Sequence, residues 1–316
     1  MERLQQRLEH GDLIVLDGGM GTELQRRGVP PHSQVWSAGG LLTHPTTVQA
    51  IHEDYLQAGA DIIITNTFAT ARHVLDAAGI GDRTAEINTL AVQLARRARD
   101  SVSADRPIYI AGSISTVRDA IPFKHTEGNR LGRGTANEQI PAAKSKANYR
   151  EQAQLLAEAG VDLIMLEMMV DRERAGYAIS AALETGLPTW IGLSFQREKV
   201  HGNLRLWGGA QFDGWFGQMT DVLGNRIPRS SLVSVMHTLT EDVEESLHLI
   251  KKEWSGLLGA YGHSGEFAMP QWTFDTSATA QAYLEHARRW VPTGAQVIGG
   301  CCGIGPEHIS LIRQAL

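Results

Sequence analysis

The sequence predicts a single (β/α)8 TIM barrel spanning residues 1–316, and three observations lead there. Short β-branched apolar runs that end in small or polar residues alternate with segments of helical period, the signal of βα units around a parallel sheet. There are eight such runs, the number a closed barrel needs, at 13–16, 62–65, 108–111, 163–166, 189–193, 232–235, 256–260 and 296–298. Neither a linker nor a fixed-period repeat divides the 316 residues.

The intervening segments justify the helices in turn. Val48, Ile51, Tyr55 and Leu56 fall at helical spacing, and Gly59 supplies a stop before the second run. Ile87, Leu90, Ala91, Leu94 and Ala98 form the next apolar face, with Arg96, Arg97 and Arg99 near its end, where the helix dipole favours cations. After the sixth run, Thr238 and Glu241 have capping-box spacing ahead of a stripe of Val243, Leu247 and Ile250. Gly305-Pro306 places a proline at the first position of the last helix, which carries Ile309 and Ile312. Two stretches break the period: 121–145, mixed in charge, and 196–230, with Trp207, Trp215 and Phe216. Both read as long loops over the mouth of the barrel, candidates for lids.

Composition excludes several classes of partner. A net charge of −6 and a pI near 6.1 lack the clustered Lys and Arg that phosphate neutralisation needs, so no nucleic acid is expected. No apolar stretch reaches membrane-spanning length, and the first dozen residues carry alternating charges, so a cytoplasmic protein with no membrane partner is expected. Two cysteines cannot build a disulfide framework, which suits a reducing compartment. The expected partners are small molecules; a homo-oligomer is neither required nor excluded.

The sharpest local feature is Gly299-Gly300-Cys301-Cys302-Gly303, directly after the eighth run. In a barrel this is the catalytic rim. Neighbouring cysteines on a regular strand face opposite ways, so both reach one metal only if the chain bends sharply, which flanking glycines permit. Two buried apolar thiols and a vicinal disulfide are the competing readings of the same pair. The nearest strand-end donor to complete a zinc site is His237.

The chain also resembles a known family. Leu16-Asp17-Gly18-Gly19-Met20-Gly21-Thr22-Glu23, Ala58 to Asp61 leading to Thr65-Asn66-Thr67-Phe68, and Ala111-Gly112-Ser113-Ile114 occur in order. They are followed by Ala159 to Asp162 leading to Glu167, then Ser264-Gly265-Glu266, Gly299 to Cys302, and Pro306-Glu307-His308-Ile309. In this order they resemble the homocysteine S-methyltransferases, zinc-dependent barrels that include the S-methylmethionine and betaine enzymes. The resemblance implies that Cys301 and Cys302 are two of three zinc thiolates, and that Asp17 and Glu167 hold the amino group of homocysteine. It further implies that Gly18, Thr65, Asn66 and Ser113 line the same pocket, and that Trp36 faces a cationic methyl donor. Methionine biosynthesis is the implied setting.

Two departures lie at the rim. Where the family has Asn-Cys after strand six, this chain reads Val235-Met236-His237-Thr238, and the family's Pro-Asn-Ser-Gly-Glu appears as Gly262-His263-Ser264-Gly265-Glu266. His237 is therefore the expected third zinc ligand and, with the two cysteines, part of the catalytic group; His263 is expected in the substrate pocket. Three thiolates leave a divalent zinc site at about −1, whereas two thiolates and an imidazole leave it near zero. Such a site ionises an incoming thiol readily but weakens the bound sulfur as a nucleophile, so it calls for a good leaving group on the donor. Two other readings stay open from sequence: a zinc barrel acting through another nucleophile, with His263 joining the ligands, and a non-catalytic barrel that binds a metabolite.

Overall fold

The computed structural model describes residues 2–32, 35–103, 105–117, 140–223, 227–228, 231–268 and 271–316. In chain order the elements are α1 (Glu2–Glu9), β1 (Ile14–Val15), α2 (Met20–Arg26), α3 (Gly39–Thr43), α4 (Pro45–Gln57), β2 (Ile62–Ile64), α5 (Arg72–Ala77), α6 (Thr84–Ser101) and β3 (Tyr109–Ser115). There follow α7 (Ala142–Ala159), β4 (Leu163–Glu167), α8 (Arg172–Glu184), β5 (Thr189–Leu193), β6 (Phe195–Arg197), β7 (Leu204–Leu206) and α9 (Trp215–Leu223). The last third holds β8 (Leu232–Leu239), α10 (Val243–Lys251), β9 (Leu257–His263), β10 (Glu266–Ala268), β11 (Gln271–Thr273), α11 (Ala280–Trp290), β12 (Ala295–Ile298) and α12 (Pro306–Ala315).

Eight parallel strands form one sheet in the order β1-β12-β9-β8-β5-β4-β3-β2. The two ends meet through a parallel bridge between Leu16 and Ile62, and the Asp17 N–H donates to the Ile62 carbonyl at 3.0 Å. The sheet thus closes into the barrel that the eight apolar runs predict, with one strand on each run. Its interior is packed rather than hollow: Ile14, Leu16, Ile62, Ala111, Leu163, Met165, Leu232 and Val297 are fully or almost fully buried in one cluster. Leu4 and Leu8 of α1 join that cluster. The helices pack outside on a second cluster that includes Val48, Ile51, Leu94, Leu247, Ile250 and Ile309, the apolar stripes read from the sequence.

At the N-terminal face, the buried Asp61 carboxylate is matched by cations. Arg7 lies at 3.3 Å and Arg106 at 3.7 Å, Arg313 contacts it directly, and the Val15 N–H donates to it at 2.9 Å. A charge so compensated, at the face opposite the catalytic rim, is structural: removing its partners would leave a buried carboxylate unpaired.

Some sequence expectations need correction. There is no capping box at Thr238–Glu241: β8 runs through Leu239, a 3-10 turn covers Thr240–Asp242, and α10 begins only at Val243. Instead, the Thr238 hydroxyl donates to the Met236 carbonyl and accepts from the Phe195 N–H, so it serves sheet geometry. The stretch 196–230 is not a plain loop. It contains an antiparallel hairpin of β6 and β7, and then α9, held by Phe195, Phe212, Trp215 and Phe216 packed edge to face. Of the other supposed loop, 121–145, residues 121–139 lie outside the described residues, and from Ala142 onward the chain is α7. Pro306 does start the last helix, where the His308 ring nitrogen accepts from the Gly305 N–H at 3.2 Å. Among the described residues no helix is long and apolar enough to cross a membrane.

Candidate active site

Every site residue singled out in the sequence, except Trp36, stands at or just past the C-terminal end of a barrel strand. Asp17 and Gly18 follow β1, Thr65 and Asn66 follow β2, Ser113 is in β3, and Glu167 ends β4. His237 lies near the end of β8, His263 ends β9, and the cysteines follow β12; Trp36 is on the connection between α2 and α3. Strand ends are the rim where a barrel places its chemistry. A cavity of about 480 Å³ opens there, lined by Gly18, Trp36, Thr65, Asn66, Glu167, His237, His263, Cys301 and Cys302. Asp17 and Ser113 sit one layer beneath the wall, 1% and 0% exposed.

The cysteine loop is held on both sides. The Gly300 N–H donates to the Asp17 carbonyl at 2.9 Å, the Cys301 N–H to the Gly262 carbonyl at 2.9 Å, and the Ser264 N–H to the Cys302 carbonyl at 3.0 Å. The bend is completed by Gly303 at φ +82°, where an added Cβ would stand 2.4 Å from the Ser264 carbonyl oxygen. As a result the two sulfurs lie on one side, 3.9 Å apart, and the His237 Nδ1 is 3.7 Å from the Cys301 Sγ. One ligand atom from each of these three residues lies within 4.8 Å of the others.

A break in the sheet aims His237. Met236 pairs with Tyr261 but Leu239 pairs with His263, so β8 carries extra chain at this point. His237 itself adopts φ +42°. Trp36 at +45° and Met168 at +53° are the other non-glycine residues with positive φ among the described residues, and all three line the cavity. Strained backbone of this kind costs about 1–3 kcal/mol per residue and collects at functional sites.

Electrostatically, the mouth is divided: Asp242 on the wall pairs with Arg197, whereas Asp17 and Glu167 deeper in have no Lys or Arg partner among the described residues. The Asp17 Oδ2 accepts from the Ile64 N–H at 2.7 Å, while its Oδ1 is buried with no partner among the described residues. Glu167 accepts from the Ser113 hydroxyl. Burial raises Asp17 well above the usual carboxylate range, and the nearby Glu167 and Cys301 add to this; burial likewise pushes Glu167 up to about 8. By contrast, the Cys302 thiol beside Cys301, helped by His237, holds the Cys301 thiol well below its ordinary value despite burial. His263 is kept neutral, far below its usual range, by burial and by the His237 ring 4.6 Å away, centroid to centroid. Asp61, equally buried at the opposite face, has three arginines; among the described residues Asp17 and Glu167 have none.

Sequence reasoning missed the aromatic walls. Trp207 and Trp272 present edges to His237 at 6.4 and 6.0 Å, and Phe267 stands edge-on to Trp36 at 6.4 Å. Tyr261 and Met168 also line the cavity. Trp207 falls in the irregular stretch already noted, but nothing in its local pattern says that the hairpin folds back over the mouth.

Comparison with known proteins agrees with this geometry. The family model described as Homocysteine S-methyltransferase matches residues 14–316. The chain is 29% identical to Homocysteine S-methyltransferase YbgG of Bacillus subtilis over 99% of its length and 97% of the relative's. It is 27% identical to the Selenocysteine methyltransferase of Astragalus bisulcatus, covering 97% of this chain and 93% of that one. Its fold is similar to the metallated form of the homocysteine methyltransferase MmuM from Escherichia coli, with a TM-score of 0.75, 21% identity and 99% of each chain covered. With a closed parallel barrel, a rim of paired thiols and unmatched carboxyls, and a family match running nearly end to end, the chain belongs to the homocysteine S-methyltransferase family.

Proposed function

We propose that the protein transfers a methyl group from a small sulfonium or quaternary ammonium donor to homocysteine or a closely related thiol, giving methionine from homocysteine. One observation carries the choice of acceptor: two buried carboxyls, Asp17 and Glu167, share the floor of the cavity with a low-lying thiol and have no Lys or Arg partner among the described residues. Burying carboxylates without counter-charge is unfavourable, and an arriving ammonium group relieves it. An amino acid with a side-chain thiol brings both the ammonium and the sulfur.

His237, Cys301 and Cys302 are proposed to hold zinc. Tetrahedral zinc, with Zn–S of about 2.3 Å and Zn–N of about 2.0 Å, spaces its ligand atoms by about 3.5–3.8 Å. The observed 3.9 Å between the sulfurs and 3.7 Å from sulfur to Nδ1 fit that spacing. Thiolate and imidazole are also the donors zinc prefers. When bound, the ion supplies Lewis acidity that lowers the pKa of an incoming thiol.

The chain's own residues do the rest. Asp17 and Glu167 orient the acceptor's ammonium group, with Ser113 fixing Glu167, and Gly18 and Thr65 border the same space. Trp36 offers its indole face to the positive donor. His263, packed against His237 at a tilt of 35°, supports that ring and closes the substrate pocket beside it. In the transfer, the acceptor thiolate's electron pair forms the new S–CH3 bond as the C–S⁺ or C–N⁺ bond breaks in line, and the donor leaves as a neutral thioether or amine. The thiol proton passes to solvent before transfer. Placement and exclusion of water by the aromatic walls contribute alongside ionisation. A reducing, cytoplasmic setting would keep the two cysteines free for this role.

The test is an assay of purified, metal-analysed protein with homocysteine and a panel of sulfonium and ammonium donors, read as methionine by mass spectrometry. Donor-dependent methionine is expected. Zinc-loaded protein that binds homocysteine yet forms no methionine with any donor would overturn the reading in favour of a metabolite-binding barrel.

A further inference from the structure

Asn66 lines the cavity and is only 4% exposed, yet both ends of its side-chain amide are directed at one neighbour. The Asn66 Oδ1 accepts from the Ser37 hydroxyl at 2.8 Å, and its Nδ2 donates to the Ser37 carbonyl at 2.9 Å. Ser37 directly follows Trp36, whose backbone is held at φ +45° and bridged to His32 by reciprocal bonds of 3.0 and 2.8 Å. A bulky residue rarely adopts this conformation and keeps it only when its surroundings enforce it. The amide of Asn66 is one such enforcement, and it crosses from the β2 end to the segment that carries the indole.

A second observation bears on the same ring from the opposite side. Gly21 is the second residue of α2. An added Cβ there would stand 2.8 Å from both the Cη2 and the Cζ2 of Trp36, so this glycine is the seat on which the indole rests. Phe267 meets the ring edge-on across the mouth. The indole is therefore fixed before any ligand arrives, and a preformed face binds a cation without the entropic cost of ordering it.

We propose that Asn66 is a positioning residue for the methyl donor, acting through Trp36, with Gly21 as the seat of the indole. This rests on the reading above that the donor is a cation. It reassigns Asn66 away from the acceptor pocket in which the sequence resemblance puts it. Donor affinity then depends on a residue that does not itself touch the donor.

Two measurements test this. Kinetically, Asn66→Ala is expected to raise the donor KM about 3–10-fold while leaving kcat within about 2-fold and the acceptor KM and zinc content unchanged. Ser37→Ala, which loses only the hydroxyl's bond, is expected to show a smaller effect in the same direction. In a Trp36→Ala background, Asn66→Ala should add less than about 2-fold, because the two residues act as one unit. A raised acceptor KM that persists in that background would overturn the proposal.

The second measurement needs no turnover and so separates this proposal from the proposed function. In protein labelled with 5-fluorotryptophan, the Trp36 resonance is assigned by its loss in Trp36→Phe. Asn66→Ala, and independently Gly21→Ala from the other side of the ring, should shift or broaden that resonance in the absence of substrate. An unchanged resonance in either folded variant would overturn the positioning role, whatever the protein's activity.

Discussion

The Nδ1 of His237 stands 3.7 Å from the Cys301 sulfur, so a side chain on the bulged end of β8 meets one on the turn after β12. No hydrogen-bond ladder joins those two strands, since β9 lies between them. Their approach is built by the bulge on one side and the glycine-flanked turn on the other.

From this pairing, His237→Ala should lower zinc affinity by at least tenfold, measured by competition with a chromogenic chelator. Chelation of the wild-type protein should abolish methyl transfer, and added zinc should restore it. His237→Cys should keep zinc, and the pH midpoint of kcat/KM should move upward, because a more negative ligand set ionises the acceptor thiol less readily.

Glu167 couples function to stability in opposite directions. Its folded-state carboxyl titrates near about 8 against an ordinary 4.5, so between those values the folded chain holds a proton that the unfolded chain has released. Stability therefore falls as pH rises through that window, at up to about 1.4 kcal/mol per pH unit. Glu167→Gln keeps an acceptor for the Ser113 hydroxyl and removes this penalty, so its Tm at pH 7.5 should rise by a few degrees. The acceptor KM should meanwhile increase by about 10–100-fold, as expected for loss of a charged hydrogen bond.

His52, in α4, is fully buried with neither ring nitrogen bonded among the described residues, and burial pushes its pKa down to about 3. Between about 3 and 6.5 the unfolded chain binds a proton that the folded chain refuses, so stability falls as pH drops through that range. His52→Leu should reduce the loss of stability between pH 7 and pH 4 by about 1–3 kcal/mol, read from urea midpoints at the two pH values.

Gly300 has no room for a side chain: an added Cβ would lie 2.2 Å from the Ile304 Cγ2 and 2.5 Å from its Cβ. Gly300→Ala should cost about 1–3 kcal/mol in stability, as overpacking does, and weaken zinc binding by displacing the adjacent Cys301. Ile304→Val in the same chain should recover part of both losses, measured by denaturant midpoint and metal titration.

The barrel is legible in the sequence because buried parallel strands are short runs of Val, Ile and Leu, and these periodically interrupt helical stripes such as Ile87 to Ala98. The placement of site residues at strand ends follows from the same pattern. What escapes it is the backbone detail of the rim. No glycine or asparagine stands at position 237, and a histidine is only a weak signal for the positive φ found there, which coincides with a register shift between β8 and β9. Thr238 has a capping residue's chemistry but sits within the strand, where tertiary pairing with Phe195 takes its hydroxyl. Asn66 is legible as a rim residue, but its amide turns to Ser37, a contact 29 residues away in sequence that no local signal encodes. The helix α9 does carry an apolar period, Trp215, Phe216, Met219 and Leu223, all buried, but it spans only 9 residues and sits between glycine-containing stretches, so it reads as part of the irregular segment.

The barrel's seam has one more implication. Between β1 and β2 the cylinder is joined by the Leu16–Ile62 bridge, by the Asp17 N–H, and by the Asp17 carboxylate on the Ile64 N–H, while the other carboxylate oxygen has no partner among the described residues. One side chain therefore rivets the wall and, under the function proposed above, would also be a hand held out to the guest. On that reading a substitution at Asp17 would act twice, on what the mouth accepts and on whether the cylinder stays shut.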